Sequence, residues 1–134
     1  MSDPVELLAS VPLFATLDKK HLQRLAKDFT ERTFPAGAVV VREGDEHGVG
    51  FFVVAEGEGV VTVGGREVGR VKPGDHFGVV ALITDRRRTA TITAETELKT
   101  LVMTFWDFRA FVKSDAEVAW TLLEHVGSLL QDRH

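Results

Sequence analysis

The chain has 134 residues, 44% of them hydrophobic and 27% charged, enough for one globular domain to bury its own core without staples. It holds no cysteine, which excludes disulfides, thiolate metal centres and cysteine nucleophiles and fits a reducing cytoplasm. The net charge is -4, and the one dense basic cluster, Arg86-Arg87-Arg88, is too small for the basic stripe of a duplex-binding surface.

The N-terminus, MSDPVELL, has neither a basic start nor a long apolar run. No stretch approaches the roughly 20 apolar residues of a membrane span. The expectation is a cytoplasmic protein with no leader and no membrane anchor.

Asp3-Pro4-Val5-Glu6 reads as a helix start, with Asp3 as cap and Pro4 at the first helical position. This helix ends near Ser10. A second begins near Asp18, where Leu22, Leu25, Ala26 and Phe29 recur at helical spacing and Lys19, Lys20, Gln23, Arg24 and Lys27 cover the other face. From about Arg32 the pattern changes to short β-rich runs between glycine turns. These runs are 39–41, 51–55, 60–63, 67–71, 89–94 and 98–103. Gly64-Gly65 suits a two-residue hairpin, and Pro73-Gly74-Asp75 marks another turn. Close-spaced short strands with helices only at the chain ends predict a mainly β fold, a jelly-roll barrel of about eight strands.

Helical spacing returns after Met103. Thr104 to Asp107 and Ser114 to Glu117 read as capping boxes. The first opens a short helix carrying Phe108, Phe111 and Val112. The second opens a longer one with Ala119, Leu122, Leu123, Val126, Leu129 and Leu130 along one stripe. The expected organisation is a single domain over 1–134: helices over 1–30, a barrel over 31–103 and C-terminal helices over 104–134.

The segment FGVVALITDRRRTATI, residues 77–92, carries the functional signal. Gly78 lets a ligand approach the backbone closely. A turn of exposed backbone N–H groups makes an anion-binding concavity. Arg88 supplies a planar donor fork suited to phosphate oxygens, and Thr89 adds a hydroxyl. Together they describe a pocket for one phosphate-sized anion, walled by valine and isoleucine side chains.

This segment resembles the phosphate-binding cassette of cyclic-nucleotide-binding domains, the family of the catabolite activator protein, the regulatory subunits of cAMP-dependent protein kinase and the cyclic-nucleotide-gated channels. The family's cassette runs roughly Phe-Gly-Glu-(Ile/Leu)-Ala-Leu-(Leu/Ile), four variable residues, then Arg-(Thr/Ser/Ala)-Ala. Here FGVVALI is followed by TDRR and RTA, with the spacing kept. VPLFATLDKKHLQRLA resembles the family's N-terminal helices. VREGDEHGVGFFVVAEGEGVV resembles its early strands, including Gly44-Asp45 and Gly57. TLVMTFWDFRAFV resembles its last strand and the helix after it.

The resemblance implies that Arg88 pairs with the cyclic phosphate and that Thr89 contacts the phosphate and the purine. It implies that the backbone of Gly78 and Ala81 lies against the sugar and phosphate, with Val79 and Val80 between them among the ligand-binding residues. The implied ligand is cAMP, with cGMP the lesser candidate. Val79 departs from the pattern, since the family has a glutamate there that accepts the ribose 2′-hydroxyl. An unpaired buried hydroxyl costs about 1–3 kcal/mol, or roughly one to two decades in affinity. Arg87 also replaces a proline common in the family.

Two functions follow. The first is a stand-alone, non-enzymatic sensor whose C-terminal helix closes over the nucleotide and whose output passes to a separate protein or to a homodimer. The second, suggested by Val79, is a fold that has left nucleotide binding and serves as a protein-interaction or dimerisation scaffold. Trp120 and the stripe from Leu122 to Leu130 are expected to pack on the barrel or on a second copy rather than on a base. No direct DNA binding is expected, because the chain stops at His134 without a DNA-reading module. His47 and His76 lack the His-x-His spacing of a metal-binding barrel, and metal ligands must converge within about 2–2.2 Å of one ion, so no metal is expected. No nucleophile turn marks an enzyme.

Overall fold

The structure, a computed structural model, describes residues 4–45, 50–77 and 89–131. Helix α1 spans Pro4–Ala9 and is followed by a single 3-10 turn, Pro12–Phe14. Helix α2 spans Lys19–Lys27. Its cap is Asp18, whose carboxylate accepts from the His21 backbone N–H at 2.9 Å, satisfying one of the free amides of a helix start. Leu22 and Leu25 face inward, as their spacing predicts, and Phe29 is buried just beyond the helix end.

The described strands are β1 (Thr30–Phe34), β2 (Val39–Val41), β3 (Gly50–Glu56), β4 (Gly59–Val63), β5 (Arg66–Val71), β6 (His76–Phe77), β7 (Thr91–Ala94) and β8 (Leu98–Thr104). They form two four-stranded antiparallel sheets, ordered β1-β8-β3-β6 and β2-β7-β4-β5. This is the mainly β architecture with flanking helices that the glycine-punctuated runs predict. Strand β1 escaped the sequence reading because its residues TERTF are mostly polar and exposed. Strand β6 escaped it because two residues carry no period. Strand β7 starts at Thr91 rather than at residue 89; Thr89 and Ala90 form a bend before it.

Glycine turns set the register. Gly64 and Gly65 both take positive φ, 59° and 81°, and close the β4–β5 hairpin between Val63 and Arg66. Both central residues of such a two-residue turn need the left-handed region.

Strand β3 explains how the layers are joined. Its run Gly50–Val54 is buried throughout, so it lacks the alternation of a strand with one wet face. Side chains at odd positions, Phe51 and Val53, join Leu101 and Met103 of β8 in a core shared with the helices. Those at even positions, Phe52 and Val54, join Leu98, Val102 and Ile92 in a second core between the sheets. Thr100 of β8 is buried with that second face, and its hydroxyl donates to the Arg32 carbonyl at 2.8 Å.

Helix α3 (Phe105–Lys113) follows β8 directly. Its cap is Thr104, whose hydroxyl accepts from the Asp107 N–H at 3.1 Å, as the capping box predicts. Helix α4 spans Ala116–Gln131. Its cap is Asp115, not Ser114: the Asp115 carboxylate accepts from the Glu117 N–H at 2.8 Å. Ser114 instead closes α3, its hydroxyl donating to the Phe111 carbonyl at 2.7 Å. A carboxylate one residue nearer the helix displaces the hydroxyl because it is the stronger acceptor.

Candidate functional site

Five of the six residues assigned to the anion pocket, Gly78, Val79, Val80, Ala81 and Arg88, lie outside the described residues, as do Arg86, Arg87 and His47. The sixth, Thr89, lies in the exposed bend before β7. The strands on either side of residues 78–88 are β6 and β7. Phe77 is in β6, at the edge of one sheet, and Thr91 opens β7, inside the other.

Each end is fixed by specific contacts. The Phe77 ring stacks on Phe52, with centroids 4.8 Å apart and planes 10° from parallel, and the two residues are register partners across β6 and β3. The turn before β6 is tied to β3 from both sides. The Val54 N–H donates to the Asp75 carbonyl and the Gly74 N–H to the Val54 carbonyl, both at 2.9 Å. The Asp75 carboxylate accepts from the Lys72 N–H at 2.9 Å, an arrangement that holds a tight turn without regular ladder bonds. At the other end the Thr91 hydroxyl accepts from the Glu43 N–H at 2.9 Å, and the Glu43 carboxylate accepts from the Gly64 N–H at 2.9 Å. The turn after β2, the β4–β5 hairpin and the start of β7 are thus bound together.

His76, read in the sequence only as a failed metal ligand, is packed at this site. Its ring lies 5.4 Å from Phe51 and 5.9 Å from His125 of α4, centroid to centroid. Burial, then the nearby His125, holds its pKa below the ordinary histidine value of 6.5, with Asp75 opposing weakly. The ring is therefore neutral at pH 7. Among the described residues no three His, Cys, Asp or Glu side chains converge on a metal-sized space.

A second histidine contact has no signature in residue spacing. His21 of α2 lies between two carboxylates, with Nδ1 2.8 Å from Asp18 Oδ1 and Nε2 2.5 Å from Asp115 Oδ2. The hydrogen bond to Asp115, then that to Asp18, raises its pKa above 6.5. The Asp18 pKa is lowered by the His21 backbone N–H first and then by the ring, and that of Asp115 by the ring first. Beside it Arg24 donates to the Ser114 hydroxyl at 2.7 Å. The start of α4 is thereby clasped to the N-terminal helices.

Helix α4 presents two faces. Val118 and Leu122 are buried, whereas Trp120 is 64% and Leu123 62% exposed, so the predicted stripe divides between packing and solvent. An apolar groove of about 390 Å³ runs between α3 and α4, lined by Phe108, Val112, Ala119, Leu122, Leu123 and Val126 with Arg109 and Lys113. No described helix is long and apolar enough to cross a membrane.

Comparison with known proteins places this architecture. Residues 31–115 match the family profile of the cyclic nucleotide-binding domain. A cyclic nucleotide-gated potassium channel of Mesorhizobium japonicum is 38% identical over 114 residues, which are 85% of this chain and 31% of the channel. A cAMP-dependent protein kinase regulatory subunit of Schizosaccharomyces pombe is 38% identical over 94 residues, 69% of this chain and 23% of that protein. The chain thus spans about a third or less of these relatives. Among solved structures, the N-terminal domain of a transcriptional regulator from Streptomyces coelicolor A3(2) superposes with a TM-score of 0.82 at 33% identity, covering 96% of this chain and 94% of that one. The regulatory domain of Toxoplasma gondii PKA, crystallised with cAMP, superposes with a TM-score of 0.79 at 27% identity, covering 93% and 49%. With more than half its length matched by the family profile, the chain belongs to the cyclic nucleotide-binding domain family.

Proposed function

We propose that the chain is a non-enzymatic regulatory sensor for a cyclic nucleotide, with cAMP as its ligand. The phosphate is held by the Arg88 guanidinium and the Thr89 hydroxyl, against the backbone of Gly78, Val79, Val80 and Ala81. The observation that carries the reading is the cassette FGVVALITDRRRTA, kept at family spacing inside the matched residues 31–115. The cAMP-bound Toxoplasma gondii regulatory domain supports the choice of nucleotide. Val79 sets the affinity: without a carboxylate for the ribose 2′-hydroxyl, binding is weaker by about one to two decades than with glutamate.

A second reading rests on the exposed Trp120 and Leu123 beside the α3–α4 groove. It makes the domain a scaffold that pairs through α4, either with a second copy or with a separate protein. Calorimetric titration with cAMP, cGMP and 5′-AMP decides between the two. The sensor predicts cAMP binding in the micromolar range, loss of that binding in Arg88→Ala, and tightening of about tenfold or more in Val79→Glu. No heat with any nucleotide, and no thermal stabilisation at millimolar ligand, favours the scaffold.

A further inference from the structure

We infer that the packing of His76 against His125 is an acid-sensitive latch: with the His76 ring neutral, the far half of α4 stays seated on the barrel, and protonation of His76 releases it. The inference stands without the nucleotide reading, since it concerns how α4 is held.

The geometry carries it. The two rings lie 5.9 Å apart with their planes at 59°, and Phe51 covers His76 on the β3 side at 5.4 Å. His76 Nδ1 and His125 Nε2 are buried and have no hydrogen-bond partner among the described residues. At those two atoms the pair is held by packing, with no acceptor among the described residues. A proton added to His76 creates a cation in a partly desolvated place. Among the described residues, the ionisable groups that bear on His76 are His125 from α4 and Asp75 from the turn before β6. β3 presents the apolar Phe51, and Glu124, next to His125 on α4, is exposed. Asp75 favours the cation, but its carboxylate already accepts from Lys72 N–H, and its effect is the weakest of the three.

The opposite end of α4 responds in the opposite sense. At Asp115 the His21 clasp gains from protonation, because two carboxylates receive the charge. The two contacts are ten residues apart, about 15 Å along the helix at 1.5 Å per residue. Acid therefore keeps the first turn of α4 fastened and loosens the half that carries His125. The sign follows from the lowered His76: the released state takes up more protons as pH falls through 6.5, so seating is complete above that value and weakens below it. Each excess proton weakens it by up to about tenfold per pH unit.

The test is amide hydrogen exchange of the full chain between pH 7.5 and 5, corrected for intrinsic rates, with ring titrations of the five histidines followed by NMR. The expected result is faster exchange in residues 122–131 below pH 6.5, by up to about tenfold per unit, while β8 amides stay protected. His76→Phe is expected to remove this dependence, and His125→Leu to weaken it, since burial, the first cause of the lowered His76, remains. A His76 ring titrating at or above 6.5 in the wild type overturns the latch, whether or not either variant folds. So does acid loosening that persists undiminished in a folded His76→Phe variant, or its absence in the wild type.

Discussion

Replacing Phe51 by leucine tests whether one side chain joins the barrel to its helices. Phe51 is fully buried. Its ring meets Phe14 at 5.8 Å, Phe29 at 6.1 Å, Phe108 at 5.7 Å and His76 at 5.4 Å. These partners come from the 3-10 turn, the end of α2, α3 and β6. Truncation of a buried phenylalanine to alanine costs about 3–5 kcal/mol. Leucine keeps most of the aliphatic volume but loses the ring contacts, each worth roughly 0.5 kcal/mol or more beyond burial. The expected cost is about 2 kcal/mol, which for a chain of this size lowers Tm by about 7 °C. Far-UV circular dichroism during urea unfolding is the suitable assay, because Trp106 and Trp120 are 72% and 64% exposed and report little on the core. Phe34→Leu is the control. Phe34 sits in the core between the sheets and, among the described residues, meets one aromatic ring, Phe52, at 6.3 Å. A loss at Phe51 below about 0.5 kcal/mol, or smaller than at Phe34, would refute the view that Phe51 couples the layers.

Two further substitutions probe the turn at Gly57 and the His21 clasp. Gly57 has φ +91°, and a Cβ there would lie 2.1 Å from the Glu97 carbonyl oxygen. Gly57→Ala is expected to cost about 3 kcal/mol or more, from left-handed strain plus a backbone collision. Gly37→Ala, at φ +89° with open space around it, is expected to show the left-handed strain alone, about 1–2 kcal/mol; equal losses in thermal melts would remove the collision argument. Asp115→Asn keeps an effective helix cap but removes the carboxylate that most raises the His21 pKa. The stability of a raised histidine is complete below 6.5 and is lost as pH rises through its folded value. The variant is therefore expected to be less stable than wild type at pH 6, with the gap narrowing toward pH 9. Its His21 ring is expected to titrate closer to 6.5 by NMR, and an unmoved ring counts against the clasp.

Local chemistry determined much of the architecture before any coordinates. The period change near Arg32, the Gly64-Gly65 hairpin, the Asp18 and Thr104 caps and the inward faces of α2 and α3 all follow from side-chain spacing and backbone freedom. The proposed function rests on the resemblance of the contiguous cassette from Phe77 to Ala90 to that of the family, the residue types themselves indicating only an anion pocket.

Tertiary structure alone decided the rest. Strands β1 and β6 exist because β8 and β3 offer them partners, not because TERTF or HF prefers a strand. The cap of α4 fell on Asp115 instead of Ser114, whose neighbours in space are Arg24 and the Phe111 carbonyl. His21 and Asp115 are 94 residues apart and His76 and His125 are 49 apart, so no spacing rule links them. A histidine's charge depends on what packs around it: two carboxylates hold His21 protonated to higher pH, while a phenylalanine and a second imidazole keep His76 neutral. Sequence supplies the ionisable group, and the burial and the partners that shift its titration appear only when distant segments meet.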